Sequence, residues 1–161
     1  MRIEDGKFYF IKNDFIEKYG KKYKLMQNKE EGTKRPCYFC FRDSEDEKII
    51  WFVPISRQVD KYKKIYEDKK CRMNREPLNF VFGEVRNCKS VFLIQNMFPT
   101  LEKYIVDKYT INKTDDVTIF QDTKNKILKT AKIVLNLERT KDIHIAFSNL
   151  IEFKQELLME E

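Results

Sequence analysis

The run Pro36-Cys37-Tyr38-Phe39-Cys40-Phe41-Arg42, the polar interval Asp43-Ser44-Glu45-Asp46 and the run Glu47-Lys48-Ile49-Ile50-Trp51-Phe52-Val53 decide how this chain is read. Two apolar, aromatic segments flank four polar residues. β-Branched and aromatic side chains suit a pleated, half-buried surface. A short polar interval between two such runs signals a β-hairpin.

Working outward, Lys7-Phe8-Tyr9-Phe10-Ile11 reads as another strand. Asn13 is placed to cap a short helix over residues 14–19, which Gly20 ends. Residues 21–35 are polar and lysine-rich, lack periodicity, and read as a loop. Beyond the hairpin, residues 78–85 and 90–94 are further strands, separated by Arg86-Asn87-Cys88-Lys89.

Past residue 98 the period changes. Residues 100–109 carry apolar side chains at 101, 105 and 106. Residues 116–139 place Phe120, Ile127, Leu128, Ala131, Val134 and Leu135 near one face. The last segment, from Asp142, carries Ile143, Ala146, Phe147, Leu150, Ile151, Leu157 and Leu158. These spacings predict three amphipathic helices. A β-rich front half covered by back-half helices is an α+β fold. At 161 residues, the chain is expected to form one domain over 1–161.

Charge is concentrated rather than spread. Residues 54–75 hold eight Lys/Arg and three Asp/Glu, a net +5, against +6 for the whole chain. This basic stretch directly follows the apolar Ile49-Ile50-Trp51-Phe52-Val53, so a buried strand delivers the Ser56 hydroxyl into a cationic, tyrosine-bearing segment. Residues 57–68 have a poorly apolar face and read as a loop with a short helix. Clustered cations with interleaved aromatics point to a polyanion, and to nucleic acid in particular.

Other chemistries find less support. His144 is the only histidine, which excludes a two-histidine ribonuclease mechanism or a histidine-rich metal site. The four glycines are scattered and build no phosphate-cradling loop. Cys37 and Cys40 have metal-ligand spacing, but in a strand residues three apart face opposite sides, so free buried thiols are expected. The acidic cluster 43–47 reads as a solvated turn rather than a cation site. No apolar run reaches the roughly 18 residues of a membrane span, and the N-terminus lacks the apolar core of a signal peptide. A cytoplasmic protein without metal or cofactor is expected.

What remains is phosphate chemistry by hydroxyls and cations. RNA carries its own nucleophile, the 2′-OH, and aligning it while stabilising the phosphate oxygens needs no metal. Residues 33–38 and 54–64 supply the required types. Ser56 also has a plain role as a turn cap, and Tyr62 and Tyr66, four apart, as packing residues of a short helix.

Three landmarks then occur in order: Lys7-Phe8-Tyr9-Phe10-Ile11; the hairpin from Arg35 through Pro54-Ile55-Ser56; and Ser90-Val91-Phe92-Leu93-Ile94-Gln95-Asn96-Met97-Phe98-Pro99. In this order and spacing the chain resembles the ToxN/AbiQ/CptN group of type III toxin–antitoxin endoribonuclease toxins, the CptN branch most. The resemblance spans essentially the whole chain. It implies a compact, barrel-like antiparallel sheet related to the Kid/MazF toxins, with additional C-terminal helices. It also implies cleavage of cellular RNA at adenine-rich sites, leaving 2′,3′-cyclic phosphate and 5′-hydroxyl ends. The implied partner is a repeat-encoded RNA pseudoknot antitoxin, held with the protein in a closed oligomeric assembly.

Carried over by residue, the resemblance makes Ser56 catalytic, with Arg57 or Lys61 taking the phosphate role. The family often has a lysine closely after its Ser/Thr, and here Val59 stands about there. Thr33, Lys34, Arg35, Tyr38, Tyr62, Lys63 and Lys64 become candidate RNA contacts. A non-catalytic RNA-binding domain, or a module binding an acidic protein, would use the same basic surface.

Overall fold

The computed structural model describes residues 2–26 and 35–160. Its strands are β1 (Phe8–Ile11), β2 (Cys37–Arg42), β3 (Ile49–Ser56), β4 (Phe80–Val85), β5 (Cys88–Leu93), β6 (Phe98–Leu101) and β7 (Ile105–Lys108), with a small ribbon of β8 (Thr110–Ile111) and β9 (Asp115–Asp116). The helices are α1 (Asn13–Tyr19), α2 (Val59–Met73), α3 (Gln121–Lys141) and α4 (Leu150–Leu158). The expected α+β class, a large antiparallel sheet with C-terminal helices, is the one found. No described helix is long and apolar enough to cross a membrane.

The main sheet runs β4-β5-β3-β2-β1-β7, and β6 also pairs with β3. Every pairing is antiparallel. All eight residues of β3 are buried. Its first half pairs with β6, from Ile49↔Leu101 to Phe52↔Phe98. Its last two residues pair with β5, as Ile55↔Phe92 and Ser56↔Val91. The hairpin partner β2 lies along its other edge, with one irregularity between Phe39 and Phe41 that makes Cys40 an extra residue.

The sheet curls strongly. Strands β5 and β1 are separated by two others, yet the rings of Phe92 and Phe8 are 6.4 Å apart, and Phe92 lies 5.5 Å from Tyr38. A flat sheet would hold strands three places apart at roughly 14 Å. On the outside, α3 starts against β4 where Gly83 lacks a side chain; a Cβ there would lie 2.7 Å from Thr123 Cγ2. A second aromatic cluster joins α1 to α4: Phe153 stacks on Tyr23 at 3.9 Å and on Phe15 at 5.8 Å.

Several expectations change. Residues 100–109 are not a helix but the end of β6, a 3₁₀ turn at Glu102–Tyr104, and β7. Their three apolar positions made a weak helical stripe, and ladder pairing with β3 and β1 prevails. The last helix starts at Leu150, not near Asp142. Asp142 adopts φ 53° and ends α3, and the Ile143 N–H reaches back to Leu137 O at 3.1 Å, a left-handed helix stop. His144 therefore lies in an extended connection, with Ile143 and Phe147 exposed instead of core-facing. Phe120 precedes α3 and is also exposed. Asn13 is the first residue of α1 rather than its cap.

The acidic turn is not simply solvated. Asp43 is buried and accepts the Trp51 indole N–H at 2.9 Å and the Lys154 ammonium at 2.9 Å, which ties the hairpin turn to α4. Cys37 and Cys40 are both buried and free. Burial pushes each thiol up to about 12, so neither offers a thiolate at neutral pH.

Glu160 closes the far end. Its carboxylate accepts from the Tyr104 hydroxyl at 2.6 Å and from the Tyr19 hydroxyl, and lies 2.8 Å from the Lys103 ammonium. Burial alone would raise its pKa, but the bonds from Lys103, Tyr104 and Tyr19 prevail and hold it at about 2. A depressed folded pKa gives stability that is present above the unfolded carboxylate value and lost as pH falls through the folded one. Glu160→Gln is therefore expected to flatten the urea-unfolding free energy of the protein between about pH 4.5 and pH 2. Parallel wild-type and mutant curves through that window would refute this role.

Candidate nucleic-acid interface

Antiparallel pairing builds the candidate site. Cys37 faces Pro54, so Arg35, two residues earlier, falls beside the C-terminal end of β3. Its Nη1 donates to the Ile55 carbonyl at 3.1 Å. Two stretches twenty residues apart in sequence thus meet at one strand end. Ser56 is the last residue of β3 and 8% exposed. Its Oγ accepts the Gln58 N–H at 3.1 Å, and the Val59 N–H bonds Arg57 O at 2.8 Å as the chain turns into α2.

The turn-cap role of Ser56 is thus present in the structure. It does not exhaust the hydroxyl, which has one proton to donate as well as acceptor capacity. A phosphate oxygen arriving at this strand end can take that proton. Arg57 is exposed beside it, and Arg35 is half-buried with its guanidinium anchored on β3. The start of α2 lies next to this group, and a helix N-terminus carries partial positive charge. Asp60, in the first turn of α2, offsets part of that field.

Helix α2 is longer than expected, running over 15 residues to Asn74, which caps it in the left-handed conformation at φ 52°. Its apolar face was poor in sequence because it consists mainly of tyrosine rings. Tyr62 packs on Phe80 at 5.2 Å and Tyr66 edge-on to Phe82 at 5.5 Å, above a satellite cluster of Phe80, Val91 and Leu93. The packing role for these tyrosines holds, and it leaves both rings half-buried.

Helix geometry also separates the lysines. Lys61, Lys63 and Lys64 are all exposed. Successive residues turn by roughly 100°, so 61 and 63 flank the packed face on opposite sides and 64 points away from it. Lys61 and Lys64, three apart, can share one wall, but Lys63 cannot join them. Lys63 borders a cavity of about 330 Å³ with Tyr66, Phe82, Glu67 and Lys89. The Lys61 ammonium lies 5.3 Å from the Tyr62 ring.

The structure thus gathers Arg35, Ser56 and Arg57, with Lys61 in the first turn of α2. It does not gather Tyr38, which is 1% exposed and packed on Phe8 at 5.2 Å. The expectation of an RNA contact there is corrected: the hairpin strand buries both of its faces at that point. Thr33 and Lys34 lie outside the described residues. Lys89 was not foreseen. It belongs to no motif and reaches the Lys63 cavity only because β4 and β5 pair in a register that sets it opposite Glu84.

No family model matches the chain, and no curated protein matches it in sequence. Solved structures do. The lactococcal protein AbiQ, an anti-phage endoribonuclease of a type III toxin–antitoxin system, superposes with a TM-score of 0.72 at 10% identity, over 95% of this chain and 96% of that one. A structure describing selective inhibition of a bacterial type III toxin by a non-coding RNA pseudoknot gives 0.71 at 15% identity, over 97% and 98%. A structure from a bacterial antiviral system regulated by a processed non-coding RNA gives 0.63 at 12% identity, over 94% and 97%. The chain has the fold of these proteins from end to end.

The fanned lysines give a testable outcome. Each phosphate contact contributes roughly 0.7 to the slope of log K against log salt for a single strand. Lys61→Ala, Lys63→Ala and Lys64→Ala, measured singly on single-stranded RNA across a salt series, should not all lower the slope. Equal losses from all three would require a polyanion that wraps the helix.

Proposed function

We propose that this protein is an endoribonuclease toxin that cuts single-stranded RNA by in-line attack of the substrate's own 2′-hydroxyl. The observation that carries the reading is the meeting of Arg35, Ser56 and Arg57 at the end of β3. The fold shared with a solved anti-phage endoribonuclease supports it.

In this reading the scissile phosphate lies against the β3–α2 turn. Arg57 and Arg35 balance the charge that builds on the non-bridging oxygens, with Lys61 within the first turn of α2 as a further cation. The Ser56 hydroxyl donates to one of those oxygens while the Gln58 N–H holds its Oγ in place. The 2′-oxygen bonds to phosphorus and the bond to the 5′-oxygen breaks. One proton leaves the 2′-hydroxyl to solvent and one is taken up by the 5′-oxygen. The products are a 2′,3′-cyclic phosphate and a 5′-hydroxyl end. The chemistry proposed here uses no metal or cofactor. His144 has no part in it. Its ring is held between Glu138 at 3.2 Å and Asp142 at 2.7 Å.

The same reading extends to partners. We propose adenine-rich cellular RNA in the cytoplasm as substrate and phage defence as the setting. The proposed inhibitor is a repeat-encoded RNA pseudoknot that occupies this surface in a closed protein–RNA assembly. The solved structure describing inhibition of a type III toxin by a non-coding RNA pseudoknot supports an RNA inhibitor.

Purified protein is expected to cut long RNA in EDTA, and a 2′-deoxyribose at the scission site to block cutting. Persistent cutting of the deoxy substrate would exclude the 2′-hydroxyl route, and binding without cutting would leave a non-catalytic RNA-binding domain. Ser56→Ala should lower the cleavage rate by roughly 10²–10³, the usual loss for one transition-state hydrogen bond. The lost turn bond should cost only about 1 kcal/mol of stability. Full activity in the mutant would leave Ser56 as a turn cap alone.

A further inference from the structure

At the far end of α2 from Ser56, three large apolar side chains are exposed together: Met73 at 41%, Ile143 at 45% and Phe147 at 53%. All three line one cavity of about 480 Å³ between the end of α2 and residues 142–149. Lys69 and Arg75 stand on the same cavity, against a single acid, Glu76. His144 also borders it, but its ring is already committed to Glu138 and Asp142.

Phe147 is exposed by construction, not by looseness. Its backbone N–H donates to Gln95 O at 2.9 Å, and its neighbours Ala146 and Ser148 are buried. The Ser148 hydroxyl is bonded to Tyr23 O. The main chain is therefore pinned on both sides of a ring that points outward. A fixed, solvent-facing aromatic above an apolar floor with cations at its rim suits an unpaired nucleobase and its phosphate.

We infer that this cavity is a second RNA contact, in which Phe147 stacks an unpaired base and Arg75 and Lys69 hold the adjoining phosphates. This rests on the RNA-cleaving reading above. Continuity with the basic surface of α2 favours RNA over a protein as occupant. The helix has 15 residues, so at 1.5 Å per residue the cavity lies roughly 20 Å along it from the Ser56 turn, a few nucleotides from the scissile bond. Phe147 is more open to a base than the half-buried Tyr62.

The test uses the full chain and an adenine-rich single-stranded RNA whose 2′-hydroxyls are all methylated, so that it cannot be cut by in-line attack. Binding is measured across a salt series. Phe147→Ala should weaken binding roughly five- to hundredfold, as loss of one stacked base does, with the salt slope unchanged. Phe147→Trp should restore it, since it replaces one ring with another. Arg75→Ala should lower the slope by roughly 0.7. If wild type binds RNA and Phe147→Ala binds equally, this site is overturned while the cleavage reading stands. If wild type binds no RNA, both fall. If Phe147→Ala instead changes the sedimentation of the RNA-free protein, the patch is a protein interface and the inference is wrong.

Discussion

Strand β3 is the element on which everything else depends. Eight consecutive residues, Ile49–Ser56, are buried, so the strand must be covered on both faces and paired on both edges. Fully burying an aliphatic or aromatic side chain stabilises by roughly 1.5–3 kcal/mol, and nowhere else in the sheet is burial so continuous. No single partner serves its outer edge. Strand β6 takes residues 49–52 and β5 takes residues 55–56. Pro54, which has no N–H to give a ladder, falls in the gap where the partner changes. Ser56 is where the strand runs out of sheet, and the position of the candidate site is a consequence of the core.

The back half is fastened to this sheet by carboxylates as well as by apolar surface. Asp43 holds Trp51 and Lys154, which links the hairpin turn to α4. Glu138 of α3 is buried and accepts the Ile151 N–H at 2.7 Å, satisfying a donor at the start of α4. Glu160 gathers Tyr19, Tyr104 and Lys103. A buried charge costs several kcal/mol unless paired, and the buried Asp43 is accordingly held by both the Trp51 indole and the Lys154 ammonium. The three carboxylates set the helices in one orientation, which apolar packing alone fixes less sharply.

The basic segment shows how packing redistributes charge. In sequence its eight cations form one cluster. Once residues 59–73 coil and the tyrosine face is laid on Phe80 and Phe82, the cations point in several directions. Some remain near the Ser56 turn, some line the Lys63 cavity, and others stand at the far end beside Phe147. A patch that is local in sequence is thus spread along α2 and around several of its sides.

The hairpin of β2 and β3, the strands β4 and β5 and the long helix α3 were legible in the sequence, because each is a local pattern: apolar runs bounded by polar turns, or a sustained helical stripe. The Ser56 turn was legible for the same reason, as the end of an apolar run followed by cations. Residues 100–109 and 142–149 were misread because their apolar positions fit a helical period loosely, and the ladder partners and the left-handed Asp142 that decide them lie elsewhere or in backbone geometry. What the sequence alone determined was composition, element type where periodicity is strong, and the basic segment. Tertiary structure decided which side chains meet and which face water: Arg35 on Ile55, Tyr38 inside and Phe147 outside. The reason is physical. Period and charge are properties of neighbours along the chain, whereas pairing register, sheet curl and burial are set by contacts between segments far apart in it.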